Sequence, residues 1–184
     1  MTTDGPWSDA EKRAFEAAVG IPGERTYWAP GGFDNVPAAS DSRARAEWVH
    51  AVATIKEPHV FLDPDTGFYD RHTGGSAKMV LVGELITMLS TREAVIVYRH
   101  QYWPKSNDAP REVCSYVWHG LRMLWKAGLY SFAYQSQAAS FFFVSRSRSD
   151  LEPFETGLRH AMAGLSSAIV NRRLVLYDTD HANQ

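Results

Sequence analysis

Asp63 and Asp65 follow the short apolar run Val60-Phe61-Leu62, and Pro64 and Gly67 then turn the chain. In an open α/β sheet, ligands and chemistry sit just outside the carboxyl ends of strands. Two carboxylates one residue apart resist joint ionisation unless a cation or hydrogen-bond donors compensate. A divalent ion, Mg²⁺ or Mn²⁺, supplies that compensation, and Mg²⁺ keeps waters free for substrate phosphates. Glu84, in the next helical segment, is the candidate third metal ligand. The plainer alternatives are a turn capped by aspartate and a solvated glutamate on a helix.

A second polar group, Arg99-His100-Gln101, directly follows the β-branched run Ala94 to Tyr98. Arg99 suits a phosphate, and His100 suits a general base or a metal ligand. Lys105 extends the basic character, and Tyr102 and Trp103 offer stacking surfaces. Gln135, Ser136 and Gln137 lie between two strand-like runs, where amides and a hydroxyl can read a base edge or ribose. Arg146 and Arg148 form a small basic stripe, expected to join Arg99 and Lys105 on one phosphate-binding face. Cys114 is the single cysteine; it forms no intramolecular disulfide and reads as inert core.

The elements that must position these groups follow from periodicity. Helices are expected from Ser8, over Ser42 to Ile55, Met79 to Leu89, Arg111 to Ala127 and Pro153 to Ala163. Strands are expected at Thr26 to Trp28, Val60 to Leu62, Ala94 to Tyr98, Tyr130 to Tyr134 and Ser140 to Val144. A last apolar run covers Arg173 to Tyr177. This alternation predicts a single Rossmann-like α/β domain over residues 1–184, with frayed ends at 1–7 and 178–184. The sheet is expected to be mostly parallel, with a C-terminal antiparallel hairpin, and with Val60–Leu62 and Ala94–Tyr98 as central neighbours.

The chain of 184 residues is 45% apolar with a net charge of −2, so any nucleic-acid binding rests on a local patch rather than a global field. No apolar run approaches the ~20 residues of a membrane helix, and the polar N-terminus lacks a signal-peptide core. A cytoplasmic protein is expected, with no membrane partner.

Three known patterns share parts of the motif. Haloacid-dehalogenase phosphatases carry an Asp-x-Asp pair after an apolar strand, but no later lysine and acidic motif follows here. Asp-x-Asp glycosyltransferases place a nucleotide-binding half before the motif, and this chain is too short there. Amino-methyltransferases acting on nucleic acid carry Asp-Pro-Pro-Tyr and then helix, strand, helix and hairpin. Residues 60–144 resemble that order, although Asp65 replaces the second proline and no Gly-x-Gly-x-Gly turn precedes it.

Phe61 to Gly67, Val95 to Gln101 and Tyr130 to Ser145 together resemble a largely uncharacterised bacterial and phage family. Its members pair an Asp-Pro-Asp-x-Gly turn with a strand ending in His or Gln and a Phe-rich hairpin, on a methyltransferase-related core. This sequence departs from it at Gln137 and Ala139, where members carry a histidine and a basic residue. The resemblance implies the sheet and the site but no established activity.

The expectation from these residues is a metal-dependent hydrolase of a phosphodiester or nucleotide, such as a nuclease. Asp63 and Asp65 hold the ion, His100 activates water, and Arg99, Gln101, Trp103, Lys105, Gln135 and Gln137 bind substrate. One alternative is a methyltransferase using S-adenosylmethionine, with Asp63 accepting from a target amine and Phe68 or Tyr69 stacking the base. The other is a non-catalytic protein-binding module centred on Trp103.

Overall fold

The computed structural model describes residues 41–64, 67–69, 79–100, 113–135 and 139–176, and all structural statements concern these. The chain divides into two units, Met1–Pro37 and Ala38–Gln184, and every described residue belongs to the second. The expected elements at Ser8 and Thr26 lie outside the described residues.

Helix α1 spans Ser42–Thr54. Asp41 caps it, its Oδ1 accepting from the Ala44 N–H at 2.9 Å. Its buried residues, Arg45, Val49, Val52 and Ala53, recur at helical spacing and define one inward stripe. At its other end, the buried Arg92 donates through Nη2 to the Val52 and Ile55 carbonyls, and the Val52 carbonyl also accepts from the Ile55 N–H. Burial holds the Arg92 guanidinium below the usual arginine range.

Strand β1 is His59–Leu62, β2 is Phe68–Tyr69 and β3 is Val80–Leu81. Strands β2 and β3 form a small parallel pair, which the Val80 N–H extends by donating to the Gly67 carbonyl at 3.1 Å. Helix α2 follows as Val82–Met88. It begins later than the expected Met79 because Val80 and Leu81 are committed to this ladder. Glu84 then does two jobs. It caps α2 by accepting from the Leu81 N–H at 2.9 Å, and it receives both Nε and Nη2 of Arg45 at 2.7 and 2.9 Å. Arg45 also donates to the Met79 carbonyl and lies over the Trp48 ring. This buried pair ties α1 to the start of α2.

Strand β4 is Ala94–His100, and α3 is Ser115–Lys126. Gly128, at φ 76°, ends α3, letting the Leu129 N–H donate to the Leu124 carbonyl at 3.1 Å. Strands β5 (Tyr130–Gln135) and β6 (Ala139–Ser145) form the expected antiparallel hairpin. Helix α4 is Arg148–Ala161, beginning well before Pro153, which it contains. Helix α5 (Ser167–Arg173), absent from the periodicity reading, leads into β7 (Leu174–Leu176).

The main sheet has the order β1-β4-β6-β5-β7. Only β1 and β4 pair in parallel; the other three pairings are antiparallel. The protein is α/β with a mixed sheet, and the expectation of a mostly parallel sheet is corrected. Strand β5 does run parallel to β4, as a β4–α3–β5 crossover requires, but the two are not neighbours. The returning hairpin strand β6 fills the space between them. Its sequence, Ala-Ser-Phe-Phe-Phe-Val-Ser, has no charged residue and is buried along nearly its whole length. A strand buried on both faces belongs in the middle of a sheet. Strand β1, with His59 and Phe61 exposed, is an edge strand among the described residues, not the central one expected.

Alternation along the strands divides the core in two. Helices α1, α2 and α3 cover one face, meeting Leu62, Val95, Val97, Ala133, Phe142 and Val144. Helices α4 and α5 cover part of the other, meeting Ala94, Phe132, Phe143 and Leu174. Helix α3 approaches the sheet most tightly at Gly120, where a Cβ would fall 2.9 Å from the Phe142 ring and 3.2 Å from Phe68. Among the described residues no helix is long and apolar enough to cross a membrane.

Two stability outcomes follow. Glu84→Ala strands a buried guanidinium and should cost about 3–5 kcal/mol in urea unfolding, while the double replacement Arg45→Met with Glu84→Leu should recover most of it. Gly120→Ala normally favours a helix, but here overpacking against Phe142 should cost roughly 1–3 kcal/mol.

Candidate anion site at the polar end of the sheet

The β1–β4 ladder ends at Leu62–Val97, and β4 continues through Tyr98, Arg99 and His100. On its other side these three pair with Phe141, Ser140 and Ala139 of β6. Successive side chains alternate between faces. Val95 and Val97 belong to the core under α1–α3, so Arg99 falls on that face. Ala94 and Ile96 belong to the other core, so Tyr98 and His100 fall on the opposite face.

Arg99 lies in an aromatic cradle. Its guanidinium carbon is 4.1 Å from the centre of the Tyr116 ring and 5.9 Å from that of Tyr69. Gly67 closes the cradle: it has φ +84°, and a Cβ there would meet Arg99 Cδ at 2.8 Å. Both the backbone conformation and the close approach require glycine. Beneath the cradle, the Tyr116 hydroxyl and Ser140 Oγ are 2.8 Å apart. The fully buried Gln135 accepts from the Cys114 N–H through Oε1 at 3.0 Å, which fixes the start of α3.

Two positive groups meet at this corner. Tyr116 is in the first turn of α3, and that turn holds no acidic residue. A helix N-terminus carries about half a positive charge. Arg99 is therefore held at the positive end of a helix, and no described residue accepts a hydrogen bond or ion pair from its guanidinium. Burial pushes the neighbouring Cys114 thiol up from its ordinary value, and the Arg99 charge pulls it partly back.

Asp63 is half-buried where the chain leaves β1, so it lies at this end of the sheet. His100 does not join Arg99. Its Nδ1 is 2.9 Å from the Tyr98 hydroxyl on the opposite face. Glu84 has both oxygens engaged by Arg45 and α2. Gln135 does end beside the site, but it is buried scaffold rather than surface. Arg146 and Arg148 follow β6 at the far end of the sheet, because β6 runs antiparallel to β4 and pairs Val144 with Val95. Arg146 donates there to the Ile86 carbonyl at 3.0 Å. The expected joint face with Arg99 is thereby corrected. Asp65, Gln101, Tyr102, Trp103, Lys105, Ser136 and Gln137 lie outside the described residues. No group of three His, Cys, Asp or Glu side chains that could hold a metal occurs among the described residues.

Sequence reasoning missed Tyr116, Ser140 and the closing role of Gly67. Gly67 carried a signal, as the glycine of the acidic turn; Tyr116 carried none without knowing where α3 begins. Comparison with known protein families, curated proteins and solved structures finds no match to this chain.

Thiol chemistry reports on this corner. Cys114 in the folded protein should react with iodoacetamide more slowly near neutral pH than in the urea-unfolded chain. Arg99→Gln removes a pull towards the thiolate, so it should move the alkylation profile further to high pH.

Proposed function

We propose that this chain binds a phosphate ester, such as a nucleotide or the end of a nucleic-acid strand, with Arg99 as its anchor. One observation carries the reading. A guanidinium with no acceptor among the described residues is stacked over the first turn of α3, so two positive groups share one corner. An anion resolves that repulsion, and phosphate matches both the planar fork of arginine and the positive end of a helix. Stacking on Tyr116 orients the fork, and Gly67 lets the backbone pass close to its stem.

Metal-dependent hydrolysis, the reaction suggested by the Asp63-Pro64-Asp65 pattern, asks for more than this. It needs several oxygen ligands around one ion. Asp63 is at the correct end of the sheet, but Glu84 is consumed by Arg45 and Asp65 lies outside the described residues. Phosphate-ester binding is the part of that reaction which the described residues support.

Thermal shift tests it directly. Phosphate, pyrophosphate and nucleoside mono- and diphosphates are added with and without Mg²⁺. A binder at about 100 times its Kd stabilises by about 2.7 kcal/mol, or roughly 5–10 °C for a domain of this size. Arg99→Gln should lose the shift while keeping the unliganded Tm. If no phosphate compound shifts the wild type, or Arg99→Gln shifts equally, the proposal is wrong.

A further inference from the structure

We draw no further inference here: the strongest candidate, the open groove between α2 and the end of α3 lined by Val82, Gly83, Met123, Lys126 and Ala127, is a mainly apolar surface, and nothing in the structure shows what covers it.

Discussion

The arrangement depends on burying β6 between β4 and β5. Its three consecutive phenylalanines cannot all face one side, so the strand needs apolar layers above and below. Phe142 goes under α3 and meets Phe68 edge-on at 4.9 Å, while Phe143 stacks on Phe132 at 4.6 Å on the other face. Once β6 is central, Ser140 lies beside Arg99, Phe141 lies beside Tyr98, and Gln135 is brought beneath the start of α3. Both surfaces of the polar end are therefore set by one apolar strand that carries neither of them alone.

The second constraint is the period of two along β4. Arg99 and His100 are adjacent in sequence and share no surface. Arg99 is governed by α3, Tyr69 and Gly67. His100 belongs with tyrosine and phenylalanine rings. A polar triplet at a strand end reads as one site only if the alternation is ignored, and the same alternation gives this short segment two separate chemistries.

Much of the fold was legible in the sequence. Helices α1 and α3, strands β1 and β4, and the hairpin followed from spacing and β-branching, and the parallel pairing of β1 with β4 followed from the helix between them. Sheet order was not legible, because two apolar strands in a row fix a hairpin but not which of them inserts. The composition of β6 held the clue: a run without a polar alternate must be covered on both faces, whereas His59 and Phe61 marked β1 as an edge. Helix α5 was hidden because Ser167–Arg173 is short and carries little periodicity. At the site, Arg99 was visible as a cation after an apolar strand. Its place over the start of α3 was not, since that depends on α3 delivering Tyr116 to it. Glu84 shows the converse. It read as a metal ligand, but Arg45, distant in sequence, claims it.

The central place of β6 also has a consequence for how the chain is made. Strands β1 and β4 are synthesised long before the segment that separates β4 from β5. Until residue 145 has emerged, β4 presents one open edge next to its buried-type side chains, with α2 and α3 ready to pack but the sheet incomplete. Pairings between segments so far apart in sequence form slowly, because chain closure is paid for before the contacts reward it. While residues 101–145 are added, the nascent chain thus carries an unpaired apolar edge, the state in which a strand is most prone to pair with the wrong partner.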